Sequence, residues 1–400
     1  MRLFDLYHHN RFYKLIHSDF WRFELSVWLH VVALSLVSIF IPILLLNLGF
    51  SIGDIIIYYL IYHLIDTPFN FLARKFVVWW GARIVIILAT IFAILFFAIL
   101  SQLTVTWSAL VLLAFVGAIY DAFYWVSHLF LFMEANDDDG DSGKETSFLY
   151  MARRFGSLLG PAIGGLVLIF SGQNALLLTS IIIFALSVVP LLGARHLPDK
   201  PQKPILSFKE FFKDTKEKRN YLYTSLQAIH DSAELILWPL FIFIIFGTIE
   251  SVAALPIIVS ISAILFTYFA GNFDRQTRDN LIAVGAAMIA LVWVMRMVVS
   301  EPLLLYLSVF LAGLFSLLIT IPIDSRIFER GKLMDPLSAA TYRNTFRMGV
   351  RIIFFGALAL LLNVFNISFI IAGASMVILI FLNYIFLQIA KKSARTVIAK

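Results

Sequence analysis

Apolar runs of about 20 residues, the length that crosses roughly 30 Å of hydrocarbon as a helix, recur twelve times along this chain. They occupy residues 21–47, 54–72, 82–102, 106–132, 147–171, 174–194, 221–246, 250–270, 279–299, 302–328, 338–363 and 366–390. In lipid, backbone amides and carbonyls find no water, so a lone spanning segment must bond within itself as a helix. The expected fold class is therefore an all-α integral membrane protein with twelve transmembrane helices. Only 14% of the residues are charged, against about 25% in a soluble domain. There is no cysteine, which excludes disulfides and thiolate metal sites.

The connections sort by charge. Segments 47–53, 102–106, 172–174, 247–250, 300–302 and 363–366 contain no Lys or Arg. The opposite set holds Arg74, Lys75, Arg83, the loop 195–219, Arg275, Arg278, Arg330, Lys332 and the tail Lys391–Lys400. Positive charge stays inside, so both termini are expected in the cytoplasm of a multi-pass plasma-membrane protein. Arg296, near the outer end of span 9, is the exception. The net charge of +6 follows from this topology and does not point to nucleic acid. Residues 1–20 read as a basic, aromatic interfacial lead-in and 391–400 as a basic cytoplasmic tail. The polar stretch 195–220 separates two six-helix halves, 21–194 and 221–390. Its basic, amphipathic segment around Phe208–Phe212 reads as a solvated linker lying on anionic lipid.

Span 5 contains Tyr150–Gly165, with Arg153 and Arg154 followed by Gly156, Gly160 and Gly164 four residues apart. At that spacing the glycines share one helix face, against which a second helix can pack closely. Pro161 bends the helix and Gly165 thins it further. A weaker copy is Tyr342–Gly356, where Arg347-x-Gly349 repeats Arg154-x-Gly156. An internal copy at half the chain length, in so apolar a chain, suggests a transporter built of two related halves.

These features together resemble the major facilitator superfamily, over about the whole chain. Gly156-x-x-x-Gly160-Pro161-x-x-Gly164-Gly165 is similar to that family's helix-5 antiporter motif, with Ser147 in place of a more distant glycine. The family's loop motif between helices 2 and 3 is degenerate: Asn70-Phe71-Leu72-Ala73-Arg74-Lys75 has Arg where the family has Asp. Its second-half repeat, Gly271-Asn272-Phe273-Asp274-Arg275-x-x-Arg278, is closer. The resemblance implies two pseudo-symmetric six-helix bundles, a central cavity lined by spans 1, 4, 7 and 10, and a monomer as working unit.

Ionisable residues at membrane depth are costly and are functional candidates by default. Span 4 carries Asp121, Tyr124, Trp125 and His128 on one face, and span 7 carries Gln227, Asp231, Glu234 and Trp238 on one face. Asp231 and Glu234 are two carboxylates a turn apart, so one of them is a natural proton carrier unless an arginine neutralises each. Arg351 on span 11 lies about 20 Å from the helix start at 1.5 Å per residue. It is expected to pair with Asp121, Asp231 or Glu234, or else to meet an anionic substrate group. His30 on span 1 is a weaker candidate, more often a packing residue than a ligand. Tyr59, His63, Asp66 and Asn70 on span 2, and Asp324 with Arg326, Glu329 and Arg330 on span 10, read as gates. Trp125 and Trp238 are expected to wall a cavity, whereas Phe96 and Phe97, Trp79 and Trp80 read as lipid-facing or interfacial.

The acidic stretch 134–145 does not make an EF-hand: counted from Asp137, position six is Ser142 and position twelve is Phe148. No metal or other cofactor is expected. Ser142-Gly143-Lys144 lacks the P-loop spacing, and no nucleophile–base set marks an enzyme. The expected function is a secondary transporter of a small amphipathic solute. It is driven by protons through Asp121 and the Asp231/Glu234 pair, with antiport and efflux indicated by the glycines of span 5. Uptake by symport, or a non-transporting sensor or scaffold of the same fold, are the alternatives.

Overall fold

A computed structural model describes residues 18–135, 142–270, 278–361 and 363–398. These residues are predominantly helical, with no strand among them. Twelve membrane-length segments succeed one another. Span 1 is Asp19–Leu48, interrupted at 38–40 just before Pro42. Span 2 is Ile52–Trp80, span 3 Ala82–Ser101 and span 4 Trp107–Ala135. One helix, Ser142–Gly193, holds spans 5 and 6, divided at Gly172, where φ is +80°. Span 7 is Thr215–Ser232, then a π turn at Ala233–Leu237, then Trp238–Phe246. Spans 8 to 12 are Ile249–Ala270, Arg278–Val298, Pro302–Met334, Pro336–Ala359 and Val364–Ile398.

Several ends differ from the hydropathy reading. Span 2 runs eight residues past 72, because 73–80 contains no glycine or proline. It stops at Gly81, whose φ of +86° suits a residue without Cβ. The degenerate loop motif, Asn70–Lys75, is therefore helical. Spans 10 and 11 meet at Asp335 alone. Residues 391–398, expected as a tail, continue span 12 as helix.

Span 1 lies along the helix Ser142–Gly193, and span 3 packs on span 4. Span 9 packs on spans 10 and 12. Between these groups, span 2 packs on span 11, and span 5 meets span 8 where Gly165 faces Ala253. The glycines of span 5 do what their spacing implies. A Cβ at Gly160 would stand 1.9 Å from the Ser35 hydroxyl, and one at Gly164 would stand 2.0 Å from the Leu36 carbonyl oxygen. Gly156 faces the Trp28 ring in the same way.

The linker docks on the protein through two of its aromatic rings. Ser207 and Glu210 form a capping box that starts the short helix Phe208–Phe211. Phe211 is 1% exposed, and with Phe212 it packs on Tyr221 and Tyr342; Phe212 also meets Phe346. Asp335 ties the linker down. Its Oδ1 accepts from the Leu337 and Ser338 amides at the start of span 11, and its Oδ2 accepts from the Leu206 amide at 2.7 Å. Asp335→Ala removes a helix cap, at a cost of about 1 kcal/mol, and releases Leu206. The expected result is a lower unfolding midpoint and faster proteolysis within 195–214, while Asp335→Asn keeps most of the cap. Equal proteolysis of wild type and alanine variant would contradict this anchoring.

Candidate functional site

A cavity of about 210 Å³ lies where spans 1, 2, 3, 4, 7 and 11 converge. Its polar lining comes chiefly from Tyr58, Tyr59, Tyr62 and His63 of span 2, Tyr120 and Asp121 of span 4, Asp231 of span 7 and Arg351 of span 11. Span 10 is not among the lining elements, although the family resemblance implied it. Phe96 and Phe97 line the cavity too. Phe97 is 0% exposed, so these rings are core and not lipid-facing as expected. Trp79 and Trp80 are exposed, as expected of interfacial rings.

Asp121 faces the cavity as predicted. Its carboxyl neighbours the Asp66 carboxyl of span 2 and the Trp125 indole. Asp66 is 0% exposed and accepts from the Asn70 amide at 3.0 Å. Two neighbouring carboxyls shielded from water do not both ionise readily. Asp66, read from sequence as part of a gate, is thus half of a carboxyl pair. Asn70 accepts from the Asn344 amide at 2.6 Å, which links the pair across to span 11.

Asp231 and Glu234 do not act as a pair. Arg347 donates to Asp231 at 2.5 Å. Arg296 donates to both oxygens of Glu234, at 2.5 and 3.0 Å, and to Ser308 at 2.9 Å. Glu234 lies inside the π turn at Ala233–Leu237, which inserts an extra residue and rotates the helix beyond it. The expected pairing of Arg351 also fails: Asp231 and Glu234 are taken by other arginines, and Arg351 forms no ion pair with a described carboxylate. Its Nε has no partner, and Nη1 lies 3.7 Å from the Met348 sulfur. The lone basic residue near the outer end of span 9, Arg296, is explained by Glu234 and by Trp238 and Trp293. Their ring centroids lie 3.9 and 4.6 Å from its guanidinium carbon.

Other predicted residues sit elsewhere. Trp238 is buried against Trp293 and Phe369, away from the cavity. Gln227 donates to Thr320 at 2.5 Å within the C-terminal group of spans. His30 packs, as expected: it stacks on Tyr124 at 3.6 Å and bonds the Tyr120 hydroxyl at 2.9 Å. Tyr124 and His128 continue that ring stack behind the cavity wall. Trp125 is not among the residues that line the cavity.

On the face that carries the linker, the cavity is closed. Arg74 reaches from span 2 to Tyr342, Ser338 and the Leu206 carbonyl, at 3.3, 2.9 and 3.0 Å. Arg343 donates to Asp324 at 2.8 Å, and Phe132 of span 4 meets Phe328 of span 10. Arg74 and Asp324 therefore stand where a gate would be. Asp274 and Arg275 lie outside the described residues. His63, assigned to a gate from sequence, turns out to be cavity wall. Tyr58, Tyr59, Tyr62 and His63 form one stripe at i, i+1, i+4 and i+5, a pattern legible in the sequence.

The profile of the Major Facilitator Superfamily matches residues 24–399. No curated protein matches the chain. Among solved structures, an alanine mutant of the nucleoside transporter NupG has a TM-score of 0.70 at 16% identity, over 92% of this chain and 99% of that one. NupG without that mutation gives 0.61 at 15% identity, over 91% and 97%. Those likenesses are of fold. The profile match over nearly the whole chain, on twelve spans around a closed-bottomed cavity, shows that this protein is a member of the major facilitator superfamily of membrane transporters.

Proposed function

We propose that this protein moves a small amphipathic solute by alternating access and couples the movement to protons through Asp66 and Asp121. The observation that carries this reading is the carboxyl pair at the edge of an aromatic cavity. Neighbouring carboxyls titrate as a pair, so this one can take up and release a proton without a large rearrangement. The tyrosine and phenylalanine rings suit a ring-bearing solute, and nucleosides, the solutes named for the two structural neighbours, fall in that class. The linker face is taken as cytoplasmic on the charge of its loops, so the cavity as it stands is closed to the cytoplasm.

Two observations favour opposite directions. The glycine run of span 5 favours export by antiport through its resemblance to an antiporter motif. Arg351, unpaired beside the carboxyl pair, favours symport, because a solute and a proton can then occupy the cavity together. We adopt symport, since the glycines are accounted for by the packing of spans 1 and 8.

The test uses proteoliposomes holding a pH dye in the lumen and an inward solute gradient, across nucleosides, aromatic acids and aromatic amines. Symport acidifies the lumen and antiport alkalinises it. Asp121→Asn is expected to abolish the pH change with at least one solute. An undiminished pH change in that variant would remove the carboxyl pair from the coupling.

A further inference from the structure

Arg351 is the cation of the cavity that no neighbour neutralises by contact. Asp231 is held by Arg347, and Glu234 by Arg296. Around the cavity there remain Arg351, the Asp66–Asp121 pair and His63; Tyr58, Tyr59, Tyr62 and Tyr120 add hydroxyls but no charge. Two neighbouring buried carboxyls do not both ionise readily, so the Asp66–Asp121 pair carries one negative charge, which balances Arg351. His63 is 2% exposed, lines the cavity, and has both ring nitrogens without a partner. A buried imidazole in that condition is costly unless a ligand atom completes it. Rings stand on both sides: Tyr59 stacks on Phe355 at 5.4 Å, and Phe96 and Phe97 face in from span 3.

We propose that the cavity binds an aromatic carboxylate together with one proton, the carboxylate meeting Arg351 and His63 and the proton entering the Asp66–Asp121 pair. This rests on the coupling reading above and names its substrate class. A guanidinium presents paired N–H donors that match a carboxylate, and the bond strengthens where water is excluded. The charges balance. The empty cavity is neutral, and the cavity holding one anion and one extra proton is neutral as well. Neither form carries a lone charge into the occluded state, where charge is most costly. An anion without the proton, or a neutral solute with it, would leave a net charge. A cationic solute would face Arg351 directly.

Three probes on one ring separate the classes: phenylacetate, 2-phenylethylamine and 2-phenylethanol. Binding to the purified full chain is measured by calorimetry, and proton exchange by an indicator dye in weak buffer. Phenylacetate is expected to bind with uptake of a proton. Arg351→Gln should weaken it by about tenfold or more, and Arg351→Lys, which keeps the charge, by less. His63→Gln should weaken binding severalfold and leave proton uptake in place. The wild-type proton measurement stands even if an Arg351 variant fails to fold. Binding of the amine in preference, binding of the alcohol as well as the acid, or binding of none of the three would overturn the proposal. Amine binding with Asp121-dependent proton release would overturn the anion class and leave the coupling reading intact. Arg351-dependent binding of phenylacetate without proton uptake would support the anion class but overturn its co-binding with a proton, and would count against the coupling reading.

Discussion

Arg296→Met is expected to destabilise the protein by roughly 3–5 kcal/mol, the range for breaking a buried ion pair by removing one partner. The Arg296 side chain is 0% exposed and lies between two tryptophan rings, bonded to both oxygens of Glu234. Without it, Glu234 is left as an isolated carboxylate facing Trp238 and Trp293. Glu234→Gln should cost less, because the amide keeps one acceptor for the guanidinium. The double change Glu234→Leu with Arg296→Met should recover most of the loss, since two apolar residues leave no buried charge. The measurement is the unfolding midpoint in detergent of the four proteins. A single Arg296→Met variant within about 1 kcal/mol of wild type would mean the pair is hydrated.

Gly164→Ala is expected to cost about 1–3 kcal/mol or more, the range for overpacking. The new Cβ would stand 2.0 Å from the Leu36 carbonyl oxygen, which is backbone and cannot rotate away. Spans 1 and 5 would have to separate, and the cavity wall contributed by Leu34, Ser38 and Ile39 would move with them. Gly349→Ala, the matching substitution in the weaker second-half copy, should instead stabilise by about 0.5–1 kcal/mol. Nothing lies within 4 Å of that position, and it is in a helix. Equal effects at the two glycines would refute the close contact. The copy in span 11 thus preserves a sequence pattern but not the job: Arg347 beside it binds Asp231 instead.

Much of the fold was legible because the bilayer imposes a simple rule. A chain must cross as helix, each crossing needs about 20 apolar residues, and charge marks the ends. Composition and run length therefore dictated twelve spans and the close approach along span 5. Asp121 and Arg351 could be recognised as cavity groups for the same reason, since charge at that depth demands a use. Helix ends were less legible, because hydropathy marks where lipid stops and not where the helix stops; span 2 continues to Gly81 and span 12 to Ile398.

Partnership was decided only in three dimensions. Periodicity assigns residues to a face on the assumption of 3.6 residues per turn, and the π turn at Ala233–Leu237 breaks that assumption within span 7. Each acid then meets a different arginine, from span 11 and from span 9. The Asp66–Asp121 contact joins residues 55 positions apart on spans 2 and 4. No local pattern encodes such a contact, because it depends on how two helices are rotated about their own axes when they pack. By itself the sequence determined that this protein crosses a membrane and which residues are costly to bury there. Tertiary packing alone decided which of those residues neutralise one another and which, Arg351 and His63 among them, are left facing the cavity.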